Sequence, residues 1–224
     1  MKQVIFWDFD GTLVYCDHLW SNSVLQVIRE NGVHAELSDV RPYMATGYPW
    51  DIPHPHPEIK NEAWWPFLYR KFSEVYRAFG IDPETADRLG PYTRELILDC
   101  SKYFLYDDTR TVLEEVQKRG WINVLLSNNY PELRQTLDTL KMTHYFSEFV
   151  ISGEIGLDKP ERAIFDYAKK LAGNPERCWM IGDNPYADAE GAARAGIPTI
   201  LVHKNVPSLA VHTVPTLTHI LNLL

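Results

Sequence analysis

The stretch VIFWDFDGTL, Val4 to Leu13, decides the fold. Four apolar residues, as in a buried β-strand, lead directly into two aspartates one residue apart, and a Gly-Thr pair follows them. Side chains two positions apart in an extended chain lie on the same side, so Asp8 and Asp10 are expected to face one site. Because two neighbouring carboxylates repel each other, this pattern predicts a strand that ends at a cation.

Four more short apolar runs follow in the second half of the chain, and helical patterns lie before or between them. The apolar runs are 122–126, 149–152, 178–181 and 198–202. Near-continuous apolar strands that alternate with helices are typical of a mostly parallel sheet covered on both faces. The predicted fold class is therefore α/β.

Three of the predicted helices carry start or stop signals. Asp108 is a candidate N-cap residue for a helix that ends at Gly120. Pro131 and Pro160 are each expected at the first helical position of a later helix, where the missing N–H leaves no hydrogen bond unmade.

The alternation is interrupted from about Tyr15 to Phe104, where helix-length patterns replace strand signals. Two unrelated domains in series would leave the first strand without its sheet. We therefore expect a helical subdomain inserted after the first strand. The predicted division is a core of residues 1–14 and 105–224 and a helical subdomain of residues 15–104. Within it, His54 and His56 lie two apart among prolines, which favours a stiff extended loop over a metal-binding pair.

Polar side chains follow three of the predicted strands. The first strand ends in Asp8 and Asp10, a later one in 127–129, and another in 183–188. Ligands of open α/β sheets bind beyond the carboxyl ends of the strands, so these groups are expected to share one edge. A site whose ligands are all oxygen atoms suits Mg²⁺, which also binds phosphate oxygens.

This arrangement predicts phosphoryl transfer. Asp8, ionised at neutral pH, is expected to attack phosphorus and form an aspartyl-phosphate. Asp10 is expected to protonate the leaving alcohol and then to accept a proton from water, which requires a raised pKa. Ser127 and the backbone N–H after it are expected to bind phosphate oxygens, and Lys159 to offset the charge of the transferring group.

Four segments, in this order, resemble the four motifs of the haloacid dehalogenase-like hydrolase superfamily. They are DFDGTL (8–13), LLSNN (125–129), GLDKPERAIF (156–165) and GDNPYADAEGAARAG (182–196). The resemblance covers almost the whole chain, and the inserted helices resemble the cap that part of this family places after the first motif. It implies a Rossmann-like parallel sheet core flanked by helices, with an inserted α-helical cap subdomain.

The resemblance implies catalytic and metal-binding roles for four residues. Asp8 is the nucleophile and a Mg²⁺ ligand. Asp10 is the general acid and base, and its backbone carbonyl binds the metal. Lys159 steadies the phospho-aspartate, and Asp183 is a further Mg²⁺ ligand.

Four supporting positions follow from the same resemblance. Ser127 and Asn128 bind phosphate, together with Lys159. Asp188 supports the site from behind or through water, and Thr12 lies in the turn that begins the family's mobile flap. The dehalogenase branch typically lacks an aspartate at the position of Asp10, so its presence here favours phosphoryl transfer over cleavage of carbon–halogen bonds.

The predicted function is a Mg²⁺-dependent phosphatase that hydrolyses a small phosphorylated metabolite through an aspartyl-phosphate. Two alternatives are a sugar-phosphate phosphomutase that uses the same intermediate and a non-catalytic binding protein on the same fold. The chain has 22 Lys and Arg against 30 Asp and Glu, a net charge of −8, which disfavours nucleic acid as a partner. With no long apolar run and only three scattered cysteines, we expect a cytoplasmic protein without a membrane partner.

Overall fold

The computed structural model describes residues 2–52 and 56–224. Its main sheet has six parallel strands in the order β5-β4-β1-β6-β7-β8. The strands are β1 (Gln3–Trp7), β4 (Ile122–Ser127), β5 (Glu148–Ile151), β6 (Arg177–Gly182), β7 (Thr199–Val202) and β8 (His212–Val214). The predicted α/β class and all five predicted strands are confirmed, and β8 is a strand that the sequence did not predict.

The first strand lies in the middle of the sheet. Trp7 aligns with Leu125 of β4 on one side and with Ile181 of β6 on the other. The Asp8 backbone N–H then donates to the Ile181 carbonyl at 2.9 Å, which continues this pairing past the end of β1. The residues after β1 therefore emerge between the carboxyl ends of β4 and β6.

Successive residues of β1 point to opposite faces, and each face packs into its own apolar cluster. Ile5 and Trp7 belong to one cluster, and Val4 and Phe6 belong to the other. All four side chains are fully buried, as expected for a parallel sheet covered on both sides. The flanking helices are α6 (Thr109–Lys118), α7 (Leu133–Thr139), α8 (Ser152–Ile155), α9 (Arg162–Leu171) and α10 (Gly191–Arg194), with a π-helical segment at Pro185–Glu190.

The segment of residues 16–103, which we call the insertion, is enclosed by two short antiparallel strands. These are β2 (Val14–Tyr15) and β3 (Phe104–Leu105), and their pairing brings the two ends of the insertion together. Between them lie α1 (Leu19–Glu30), α2 (Leu37–Val40), α3 (Trp64–Ala78), α4 (Pro83–Arg88) and α5 (Gly90–Ile97). The insertion is helical as predicted, whereas the division of the chain into two domains at the predicted boundaries stays a prediction.

The insertion contacts the core through Glu132, the residue before α7. The Trp65 indole N–H donates to Glu132 Oε2 at 2.9 Å, and the Arg94 guanidinium pairs with the other carboxylate oxygen. Trp65 and Arg94 belong to α3 and α5, so one core carboxylate holds two helices of the insertion. Arg94 also lies over the Trp65 ring, 5.5 Å from its centroid.

Two predicted helix starts differ from the structure. Pro131 and Pro160 each precede their helix by two residues, so both predictions are wrong. Before α7 there is a turn in which the Leu133 backbone N–H donates a hydrogen bond to the Tyr130 carbonyl. Before α9 there is a similar turn, in which the Glu161 backbone N–H donates to the Asp158 carbonyl.

Asp108 does precede α6, but its side chain caps nothing there. Its Oδ2 atom instead accepts from the backbone N–H and the hydroxyl of Thr218, at 2.8 and 2.9 Å, and so joins α6 to the C-terminal segment.

The proline-rich loop is described only in part. His54 lies outside the described residues, so that part of the loop prediction stays a prediction. His56 Nε2 lies 2.9 Å from Asp158 Oδ2. In the described part of the chain, no helix is long and apolar enough to cross a membrane.

Candidate active site

Asp8 lies where three segments meet at the edge of the sheet. Its Oδ1 atom accepts from the Ser127 hydroxyl at 2.9 Å and lies 2.8 Å from the Lys159 Nζ atom. Ser127 ends β4, and Lys159 lies in the loop before α9, so the three residues are far apart in the sequence. The fold therefore brings together a carboxylate, a hydroxyl and an ammonium, as the sequence predicts.

Lys159 and Asp188 form a second buried ion pair behind Asp8. The Lys159 Nζ atom lies 2.6 Å from Asp188 Oδ1, and both side chains are almost fully buried. Burial alone lowers the pKa of the Lys159 ammonium, but the carboxylates of Asp188 and Asp8 outweigh it and raise the pKa above its ordinary value. Lys159 is therefore a cation at neutral pH.

Asp188 is held in place by the loop after β6. Its Oδ2 atom accepts from the Asn184 backbone N–H at 2.9 Å. A Cβ atom on Gly182 would lie 2.1 Å from that same oxygen, so only glycine leaves room for the carboxylate there. Burial raises the pKa of Asp188 to about 7, and the ammonium of Lys159 acts in the opposite direction.

Asp10 has different surroundings from Asp8. Its Oδ2 atom accepts from the Asn129 amide at 2.7 Å, and the Cys16 Sγ atom lies 3.7 Å from Oδ1. Burial and repulsion from Asp8 raise the pKa of Asp10 to about 7. This is the direction that a carboxylic acid needs to hold a proton near neutral pH.

The carboxylates of Asp8, Asp183 and Asp188 form a cluster, with one oxygen from each lying within 4.8 Å of the others. All three residues are buried, and burial, followed by repulsion from Asp8, raises the pKa of Asp183. The Lys204 ammonium contacts Asp183 Oδ2 from the loop after β7. Because the donors are anionic oxygen atoms crowded at one point, this set of residues fits Mg²⁺.

Two predicted site residues are placed differently from the others. The Asn128 amide donates to the Lys159 carbonyl and accepts from the Lys159 N–H, both at 2.7 Å. Its side chain therefore holds the backbone of Lys159, which leaves only the Asn128 backbone N–H for a phosphate. Thr12 is buried in the turn after β1, its hydroxyl has no partner among the described residues, and its carbonyl lies 3.1 Å from His203 Nε2.

Two adjoining cavities lie at this site, between the insertion and the core. The phosphate-side cavity, of about 520 Å³, is lined by Asp8, Asp10, Gly11, Ala45, Trp50, Asp51, Ser127, Asn128, Lys159, Pro160, Asp183, Asn184, Tyr186 and Ala187. The aromatic cavity, of about 410 Å³, is lined by Asp10, Gly11, Tyr15, Cys16, His18, Leu19, Trp20, Ser21, Met44, Tyr48, Trp50, Asn128 and Asn129. They share Asp10, Gly11, Trp50 and Asn128, so the two cavities adjoin each other.

Sequence reasoning missed Asn129, Tyr48 and Trp50. Asn129 was visible as the second asparagine of SNN, but nothing local indicates that its amide reaches Asp10. Trp50 and Tyr48 lie in a proline-interrupted stretch with no regular pattern. Their positions depend on how the insertion folds back over the sheet.

Comparisons with known proteins identify a matching family model and similar sequences. A family model described as haloacid dehalogenase-like hydrolase matches residues 2–196. Phosphoserine phosphatase of Thermus thermophilus is 31% identical, over 91% of this chain and 90% of that protein. Pyrimidine 5′-nucleotidase YjjG of Escherichia coli is 40% identical over a shorter region, 34% of this chain and 35% of that protein.

Among solved structures, YfnB of Bacillus subtilis, described as bound to magnesium, superimposes with a TM-score of 0.77. It is 14% identical, and the match covers 99% of this chain and 97% of YfnB. At that identity the likeness supports the fold alone. The family model and the full-length relative carry the assignment: the chain belongs to the haloacid dehalogenase-like hydrolase family.

Proposed function

We propose that this protein is a Mg²⁺-dependent phosphatase that hydrolyses a small phosphorylated metabolite through an aspartyl-phosphate on Asp8. The observation that carries the proposal is the position of the Asp8 carboxylate, 2.8 Å from the Lys159 ammonium and 2.9 Å from the Ser127 hydroxyl. A second carboxyl, that of Asp10, lines the same cavity and has its pKa raised.

At the coarser level, the chain is a phosphoric monoester hydrolase. It belongs to a hydrolase family, and two relatives that match more than nine-tenths of its length are named as phosphatases of phosphoserine and of glyceraldehyde 3-phosphate. These names differ in substrate, so they support the reaction class without selecting one metabolite.

The protein's own groups supply the steps of this reaction. The phosphate enters the phosphate-side cavity, where Lys159, the Ser127 hydroxyl and the Asn128 N–H offset the charge of its oxygens. Asp8 attacks phosphorus while Asp10 gives its proton to the leaving oxygen. Asp10, now a carboxylate, then takes a proton from the water that attacks the phospho-aspartate, which restores both residues.

Magnesium is the proposed cofactor. Asp8, Asp183 and the backbone carbonyl of Asp10 would hold it, with Asp188 behind them, and the bound ion would neutralise the phosphate charge that otherwise repels Asp8. The crowding of three buried carboxylates supports this choice. Asp188 has both oxygens engaged by Lys159 and Asn184, which favours its supporting role over direct ligation.

A sugar-phosphate phosphomutase and a non-catalytic binding protein are the competing proposals. A phosphomutase returns the phosphoryl group to its sugar, so it converts one isomer into another with little free phosphate. A non-catalytic protein needs none of the groups gathered at Asp8. The proposed partner is a small phosphorylated metabolite, and a cytoplasmic location stays a prediction.

The direct test is the hydrolysis of p-nitrophenyl phosphate with and without Mg²⁺, using Asp8→Asn as the comparison. Asp8→Asn keeps the size of the side chain but removes the nucleophile, so turnover is expected to fall at least about a thousandfold. Circular dichroism of the variant checks that the fold is retained. Unchanged turnover in Asp8→Asn, or full activity of the wild type in excess chelator, would contradict the proposal.

A further inference from the structure

The aromatic cavity adjoins the general acid, so it lies where the leaving alcohol departs from phosphorus. Asp10 and Asn129 line one part of it, and Trp20, Tyr48 and Trp50 line another. If the proposed function holds, the group that Asp10 protonates is attached to whatever fills this cavity. The lining therefore carries information about the class of substrate.

Three aromatic side chains of the cavity lining, Trp20, Tyr48 and Trp50, pack against one another. The Tyr48 and Trp50 rings are stacked, with centroids 4.9 Å apart and planes only 7° from parallel. Trp20 meets Tyr48 edge to face at 5.4 Å and is itself stacked on Trp65. Such packing holds the rings in fixed orientations, and fixed ring faces favour a flat aromatic guest over a flexible chain.

The charge of the lining argues against an ionic leaving group. None of the described residues that line the cavity is a lysine or an arginine, and Asp10 supplies a carboxyl. Lys71 lies 5.1 Å from the centroid of the Tyr48 ring, and its ammonium is bonded to the carbonyls of Tyr43 and Thr46. The carboxylate of a substrate such as phosphoserine would therefore meet no lysine or arginine in this lining, where His18 is the one imidazole among the described residues.

The first turn of α1 also borders the cavity. The twelve-residue helix α1 begins at Leu19, and Leu19, Trp20 and Ser21 all line the cavity. The N–H groups of a first helical turn have no acceptor within their own helix. They suit the carbonyl oxygens at the edge of a nucleobase, which are acceptors without formal charge.

We propose that the substrate is a nucleoside 5′-monophosphate, with the base held against Trp50 and the ribose passing Asp10 and Asn129. This deepens the proposed function and rests on it. The bond between phosphorus and O5′ breaks as the bond from Asp8 forms, and Asp10 gives its proton to O5′. Water then attacks phosphorus as the bond between phosphorus and Asp8 breaks, and it gives a proton to Asp10, so the products are a nucleoside and inorganic phosphate.

The test compares UMP with ribose 5-phosphate, because the two esters share a leaving hydroxymethyl group and differ by the base. In Mg²⁺, kcat/KM for UMP is expected to exceed that for ribose 5-phosphate by about tenfold or more. AMP tests whether a purine is also accepted. Phosphoserine and glucose 6-phosphate represent charged and purely sugar leaving groups, and both are expected to be poorer than UMP.

Trp50→Ala removes one ring face, so the ratio of UMP to ribose 5-phosphate is expected to fall at least about fivefold. Trp50→Phe is expected to recover part of that ratio. Tyr43→Ala is the matched control, because Tyr43 is an exposed aromatic residue of the insertion that packs on Phe79 and lines neither cavity. Tyr43→Ala is expected to leave the ratio unchanged.

The outcomes separate this inference from the proposed function. If p-nitrophenyl phosphate is hydrolysed but UMP is no better than ribose 5-phosphate, or if phosphoserine or glucose 6-phosphate exceeds UMP, the nucleotide assignment is wrong and the phosphatase remains. The same holds if Trp50→Ala leaves the ratio intact. If no phosphomonoester is hydrolysed in Mg²⁺, both are overturned.

Discussion

Two carboxylates that leave the same strand have different surroundings. Asp8 touches the Lys159 ammonium and the Ser127 hydroxyl, whereas Asp10 receives the Asn129 amide and has its pKa raised by burial and by repulsion from Asp8. An ion pair favours a carboxylate, and burial favours a protonated acid. Repulsion between the two aspartates of DFD therefore contributes to the raised pKa of Asp10, the proposed acid, while Asp8, the proposed nucleophile, is paired with Lys159.

The acid role of Asp10 predicts a dependence on the leaving group. Asp10→Asn cannot donate a proton, so hydrolysis of an alkyl phosphate such as ribose 5-phosphate is expected to slow by about 10² to 10⁴. The p-nitrophenolate ion leaves without a proton, so p-nitrophenyl phosphate is expected to lose much less. Steady-state kcat/KM for both esters measures the difference, because it includes the departure of the leaving group but not the later hydrolysis of the phospho-aspartate. Equal losses of kcat/KM for the two esters would remove Asp10 from the acid role.

The ammonium of Lys159 also stabilises the fold. Lys159→Met keeps the length of the side chain but leaves the buried carboxylates of Asp8 and Asp188 without their cation, which is expected to cost about 3 kcal/mol of unfolding free energy at pH 7. Urea denaturation in chelator measures the change. Lys118→Met, at an exposed position of α6, is the control and is expected to change stability by less than about 0.5 kcal/mol.

The pH dependence of that loss has a definite sign. Burial already raises the pKa of Asp188 to about 7, and removal of the ammonium raises it further. A carboxyl whose pKa is raised on folding supports the folded state below its unfolded pKa, and that support is lost as the pH rises through the folded value. The deficit of Lys159→Met is therefore expected to be larger at pH 8 than at pH 5, and a deficit that grows on acidification would contradict the account.

At the scale of elements, the turn after β1 sets the position of the carboxylates. Gly11 has φ +78°, and a Cβ atom there would lie 2.5 Å from Asp183 Oδ2. Gly120 has a similar φ of +85° with nothing within 4 Å of its own Cβ position. The two glycines therefore separate backbone strain from crowding at the site.

Gly11→Ala and Gly120→Ala are expected to cost similar backbone strain, about 1 kcal/mol each. Only Gly11→Ala also displaces Asp183, so its phosphatase activity is expected to fall about a hundredfold while that of Gly120→Ala is unchanged. Thermal unfolding and turnover of both variants test this. Equal activity losses in the two, or none in Gly11→Ala, would show that the turn does not set the site.

The elements themselves could largely be predicted from the sequence, and their ends could not. The apolar runs predicted β1, β4, β5, β6 and β7, because a buried parallel strand has a continuous apolar composition. The three-residue β8 carries no comparable signal. Pro131 and Pro160 suggested helix starts two residues early, because hydrogen-bonded turns precede α7 and α9 and sequence pattern does not record them.

For the molecule as a whole, the sequence predicted which residues gather but not how. The positions of the motifs after predicted strands predicted that Asp8, Ser127, Lys159 and Asp183 lie at one edge of the sheet, because the carboxyl ends of parallel strands meet there. The central place of β1 and the contact of Asn129 with Asp10 depend on pairings between distant segments. The ring faces near Asp10 depend on the way the insertion folds over the sheet, which no local pattern encodes.

The central claim is that Asp8 carries the phosphoryl group during turnover. The most direct measurement is to quench the wild-type enzyme in acid during steady-state hydrolysis in Mg²⁺ and to map its peptides by mass spectrometry. We expect the mass of one phosphoryl group on the peptide that contains Asp8, and no such species in Asp8→Asn. Continued release of phosphate from an enzyme whose Asp8 peptide stays unmodified, with turnover persisting in Asp8→Asn, would contradict the account.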